Sequence, residues 1–138
     1  MDQMLIFFLA GILIIGALLF ALITRSKKGV KKIDVEYYRV KCLEIENQLK
    51  PNEPSSFHLS ILNADKLVDQ VLKCRGAKGK TMGERMKNTT LFSDKNGIWE
   101  AHKLRNRIAH EPDVNVTYND ARYALRSFKK ALKDLGAI

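Results

Sequence analysis

The chemistry-bearing residues of this 138-residue chain gather in one stretch, LRNRIAHEP, from Leu104 to Pro112. Arg105 and Asn106 stand side by side there and His110 follows after four intervening residues. Histidine titrates near neutrality and takes or gives a proton under physiological conditions. Arginine offers a fixed fork of donors to phosphate oxygens, and its charge counts most where water is excluded. Asparagine can orient a phosphate or an imidazole. Such a set suits cleavage of a phosphodiester by its own neighbouring 2′-hydroxyl, which needs a proton acceptor, a proton donor and a cationic cradle. It also suits a plain structural use. A histidine in the last helical turn interacts favourably with the macrodipole, Arg105 and Arg107 can pair with acids, and Asn106 can serve a capping network.

The elements that carry these residues read as helices. Ile98, Ala101, Leu104 and Ile108 form an apolar stripe over about Lys95 to Ala109, and Pro112 drives Glu111 out of the helical region, ending the helix near His110. On an unbroken helix, five positions place Arg105 and His110 about 140° apart around the axis. Either the chain unwinds at His110 ahead of Pro112, or the two act across a two-fold axis with their counterparts in a second protomer. His102, Asn106 and His110 fall at spacings of four and line one helix edge. His102 and Glu111 are accessory candidates, and His102 reads first as a surface or satisfied interfacial histidine.

Other helices flank this one. Val35, Tyr38, Cys42, Ile45 and Leu49 make one stripe, which stops at Pro51, and Phe57, Ile61, Ala64, Val68, Val71 and Leu72 make another over about Ser55 to Arg75, which stops at Gly76. Thr81 with Glu84 reads as a capping box opening a short helix. Thr117 with Asp120 is a second box, ahead of the stripe Ala121, Ala124, Leu125, Phe128, Ala131, Leu132 and Leu135, which Gly136 closes. VNVTY, Val114 to Tyr118, passes for a brief extended stretch. GAKGKT, Gly76 to Thr81, glances at a phosphate-binding loop, but only two residues separate its glycines, where that loop needs four, and a helix rather than a strand precedes it. It reads as a basic turn. Cys42 and Cys74 belong to no CxxC pair or Cys/His cluster, so neither a metal site nor a cofactor is expected.

From Met4 to Ile23 the chain runs through twenty apolar or glycine residues without a charge, about the ~30 Å of a bilayer's hydrocarbon core. A cleaved signal peptide needs a basic leader and a shorter apolar run, and only Asp2 and Gln3 stand between Met1 and this one. Arg25, Lys27, Lys28, Lys31 and Lys32 crowd its far side, whereas no lysine or arginine precedes it. The positive-inside bias therefore predicts a single pass through the cell membrane with the N-terminus outside and the C-terminal part cytoplasmic. All 24 basic residues follow the span and only Asp2 of the 15 acids precedes it. This excess suits anionic lipid headgroups or a polyanion such as RNA. The expected organisation is a transmembrane anchor over 1–24, a basic juxtamembrane linker over 25–32 and a helical domain over 33–138. The fold class is all-α, an antiparallel four-helix-type bundle behind one membrane helix.

Together with IWEAHKLRNRIAHEP and the helix order, the Arg105–Asn106…His110 set resembles the HEPN superfamily, whose signature is an arginine, often followed by a polar residue, and a histidine four to six residues on. The resemblance covers about Ser55 to Ile138. It implies a dimerising domain that in many members cleaves RNA without a metal, with Arg105, Asn106 and His110 as the catalytic set. It equally admits an inactive member that binds RNA, a nucleotide or a protein partner through the same residues. Pro112 stands where some members carry a modifiable tyrosine two residues after the histidine, so that mode of regulation does not carry over.

Overall fold

Asp2–Ser26 form α1, the first helix of a computed structural model that describes residues 2–26 and 30–138. Within it Gln3–Thr24 have a mean hydropathy of 3.0, and its apolar side chains are exposed. At 1.5 Å per residue these 22 residues extend ~33 Å, so one helix is long and apolar enough to cross a membrane. The helix runs two residues past the expected anchor boundary at position 24. Of the basic flank, Lys31 and Lys32 are exposed in the stretch before the next helix, Arg25 lies in the last turn of α1, and Lys27 and Lys28 lie outside the described residues.

The remaining helices are α2 (Val35–Gln48), α3 (Pro54–Cys74), α4 (Met82–Lys87), α5 (Lys95–His110) and α6 (Tyr118–Asp134). Among the described residues there is no strand; in the VNVTY stretch Val114 to Thr117 are irregular chain and Tyr118 opens α6. Each start has a local cause. The Asp34 carboxylate accepts from Tyr37 N–H at 3.0 Å, Pro54 occupies the first turn of α3, where its missing N–H costs nothing, and Asp94 accepts from Gly97 N–H at 2.9 Å. Thr117 and Asp120 close the full predicted box. At α4 Thr81 accepts from Glu84 N–H as expected, but the Glu84 carboxylate reaches the N–H of Lys80, one residue before the box position. The ends are equally local: Gly76 and Gly136 adopt φ +75° and +66°, the left-handed closure that a side chain opposes.

α3 is the central helix. It packs against α2, α4, α5 and α6, and α6 packs also on α5. Ile61, Val68, Val71 and Leu72 of α3 meet Phe128 and Leu132 of α6 in an interior from which water is excluded. The Arg75 Nε–H donates to Leu135 O at 2.7 Å and ties the end of α3 to the end of α6. On α2, Tyr38, Cys42 and Ile45 turn inward. Burial, then the contact of its hydroxyl with Cys74 Sγ at 3.6 Å, push the Tyr38 phenol up to about 12. The fold therefore retains this proton where the unfolded chain, with an ordinary phenol near 10, releases it. Stability is expected to fall as pH rises from about 10 to about 12; a Tyr38→Phe chain, followed by circular dichroism, should lose less stability over that window.

Candidate functional site

α3, α4 and α5 enclose an open cleft of about 700 Å³. Its wall on α5 is the edge anticipated from spacing: His102, Asn106 and His110 all border it, joined by Trp99 and Arg105. α5 remains regular through His110, so the chain does not unwind there. Arg105 and His110 nevertheless border the same cleft from opposite sides of that edge, because the opening is wide and the arginine long.

Across the cleft floor lies the carboxylate of Asp65, on α3 and only 3% exposed. His102 Nδ1–H donates to its Oδ1 at 2.7 Å. Arg105 Nε lies 3.2 Å from its Oδ2, an ion pair whose angle does not make a hydrogen bond. Arg105 Nη1 donates to Asn106 Oδ1 at 3.0 Å, and Asn106 Nδ2 donates to His102 Nε2 at 3.3 Å. The four side chains form a closed ring. A carboxylate this buried is tolerable only when paired and bonded; here the motif arginine supplies the charge and His102 the hydrogen bond. The reading of His102 as a surface or interfacial residue is corrected accordingly: it is buried, 7% exposed, and its ring is bonded to Asp65 and Asn106 within the chain. Its ring also meets the Trp99 indole edge-on at 6.1 Å.

His110 is different. It is exposed at the mouth of the cleft on the last residue of α5, free to approach a ligand. Glu111, the other accessory candidate, is the exposed C-cap of α5; its carboxylate accepts from Arg107 Nε at 3.4 Å, and it does not line the cleft.

The opposite wall is α4. The Arg85 guanidinium, 7% exposed, donates from Nε to Asp69 Oδ1 at 2.8 Å and from Nη1 to Gly79 O at 2.7 Å. Lys73 Nζ sits 2.7 Å from the other Asp69 oxygen. Burial works against the Asp69 charge, but the hydrogen bonds from Lys73 and Arg85 outweigh it and hold the carboxyl below its ordinary range. These bonds clamp the six-residue α4 onto α3. Gly79, with φ +146°, lies so close to Glu84 and Arg85 that a Cβ would stand 2.6 Å from the Glu84 side chain, which gives the basic GAKGKT turn its structural use.

Asp65, Asp69, Arg85 and Trp99 were not among the sequence candidates. For Asp65 a signal existed: it stands four residues after Ile61 and three before Val68, an acid inside the apolar stripe of α3. Among the described residues, no group of three or more metal-ligating side chains gathers. No protein-family model, no curated protein and no solved structure matches this chain.

Proposed function

We propose that this chain is a membrane-anchored HEPN-like endoribonuclease that cleaves RNA by 2′-OH transesterification without a metal, working as a homodimer in stress response or defence. The observation that carries the reading is the convergence of Arg105, Asn106 and His110 on one cleft, with Arg105 and Asn106 braced from behind by Asp65 and His102. A donor that is already oriented loses little on meeting its substrate, so bracing of this kind favours charge stabilisation.

In this reading His110 accepts the proton of the 2′-hydroxyl as that oxygen attacks phosphorus. The P–O5′ bond breaks, leaving a 2′,3′-cyclic phosphate, and the departing 5′-oxygen takes a proton from a second acid; His110 of the other protomer suits that role. Arg105 neutralises the pentavalent phosphorane and Asn106 orients it. In this reading α1 holds the domain at the cell membrane, and the lysine- and arginine-rich flank after it, by the positive-inside bias, supports a cytoplasmic domain with the N-terminus outside. Two-dimensional confinement of this kind raises the effective concentration for dimer formation.

The full chain in detergent, incubated with mixed RNA in the presence of EDTA, is expected to yield fragments ending in 2′,3′-cyclic phosphate. A folded, dimeric preparation that leaves the RNA intact would overturn the catalytic reading.

One observation favours a second reading. Arg105 Nη1 and Asn106 Nδ2 already donate within the ring, which is what a non-catalytic HEPN-like module would show if it binds RNA, a nucleotide or a protein at the membrane face. Retarded RNA without cleavage in the same experiment would mark it.

A further inference from the structure

α2 is apolar on two sides. Tyr38, Cys42 and Ile45 meet the core, while Tyr37, Val40 and Leu43, three residues apart, point outward and remain 47%, 43% and 50% exposed. Glu36, Glu44 and Asn47 are exposed on the same outward side, so the apolar row is framed by polar groups, a pattern that suits a boundary between an apolar layer and water. Beside it α6 shows the opposite character: Arg122, Arg126, Lys130 and Lys133 are exposed, and no acid occurs anywhere from Ala121 to Lys133. The two helices adjoin, since Lys129 Nζ bonds both carboxylate oxygens of Glu46 at 2.8 and 3.0 Å. The acids of α2 are already matched, Glu36 to Arg39, Glu44 to Lys41 and Glu46 to Lys129. What faces outward is an apolar row beside a surplus of positive charge.

We infer that this α2 and α6 face lies on the bilayer surface from which α1 emerges, with Tyr37, Val40 and Leu43 seated among the headgroups and the α6 cations on anionic lipid. The inference rests on α1 spanning the membrane. Only eight residues separate Ser26 from Val35, a reach of at most about 30 Å, so α2 never travels far from the surface. A lipid interface supplies both an apolar layer and negative charge. RNA offers no partner for the apolar row, and a second copy would bring one cationic stripe against another. None of the residues lining the cleft belongs to α2 or α6, so docking on this face leaves the cleft open to the aqueous side.

The test uses the full chain carrying Cys42→Ala and Cys74→Ala, with a nitroxide on Leu43→Cys or, as the reference, on Glu100→Cys of α5. Each is reconstituted in phosphatidylcholine vesicles with and without phosphatidylglycerol. Flotation with the vesicles reports anchoring. Collision with a water-soluble nickel chelate against dissolved oxygen reports where the label sits. In anionic vesicles the Leu43→Cys label is expected to be several-fold less accessible to the chelate than the Glu100→Cys label and more accessible to oxygen. Arg126→Glu with Lys133→Glu should remove that difference. A chain that floats while the Leu43→Cys label stays open to the chelate overturns docking and leaves anchoring intact. Shielding from both probes, with dipolar broadening between labels, makes a second copy the occupant and also overturns it. A chain that fails to float removes the span itself.

Discussion

Alanine in place of Asp65 lowers the stability of the bundle by about 3 kcal/mol, the expected consequence of removing one partner from a buried pair. Two losses add. His102 Nδ1–H is left buried without an acceptor, which costs about 1–3 kcal/mol, and the Arg105 charge loses its counter-ion. The second loss is the smaller, because Arg105 is 35% exposed and can turn toward water. Asparagine at position 65 keeps an acceptor for His102 and discards only the charge, so Asp65→Asn should fall between alanine and the natural residue. Thermal unfolding of the full chain in micelles, read by circular dichroism, checks the order; for a domain of this size the alanine variant should melt at least ~10 °C lower. A loss below about 1 kcal/mol for Asp65→Ala would mean that the ring relaxes around the gap and does not brace the cleft.

The second large effect belongs to His110. In the proposed reaction, exchanging it for alanine slows RNA cleavage by about 10²–10⁴-fold, the ordinary worth of a positioned proton acceptor. The same exchange should leave the melting temperature unchanged, since the side chain is exposed at the end of α5. Arg105→Lys is the companion variant. Lysine keeps the charge and loses the planar fork, so it cannot hold both a phosphate oxygen and the Asn106 amide. Its cleavage rate should fall while RNA binding persists. Time courses of cyclic-phosphate formation, set beside melting curves, separate the two kinds of effect. A His110→Ala chain that cleaves at the natural rate would move the proton acceptor elsewhere, and the Asp65–His102 pair would be the next place to look.

Much of this architecture was legible along the chain because its causes are local. The stripes at three- and four-residue spacing place every long helix of the bundle, and the stops at Pro51, Gly76, Pro112 and Gly136 mark where each gives way. The Thr117 and Asp120 box appears as read. Thr81 and Glu84 differ in one bond, since the carboxylate swings to a neighbouring N–H, a choice between two adjacent donors that spacing does not decide.

The site was legible only in part. Helical spacing alone puts His102, Asn106 and His110 on one edge, and that edge does border the cleft. The sequence by itself therefore determined an all-α chain, an apolar N-terminal helix long enough to cross a bilayer, and which residues of α5 share a face. What stands opposite them was decided by tertiary packing. Asp65 lies 37 positions from His102 in the chain, and the pairing exists because α3 presents an acid within an apolar stripe just where α5 crosses it. Burial then separates the two histidines. His102 faces the carboxylate and is spent on the ring, whereas His110, two turns further along the same edge, overhangs the end of the helix and stays free. Periodicity is a property of neighbours along the chain, but burial and charge pairing belong to segments that meet only after the bundle closes.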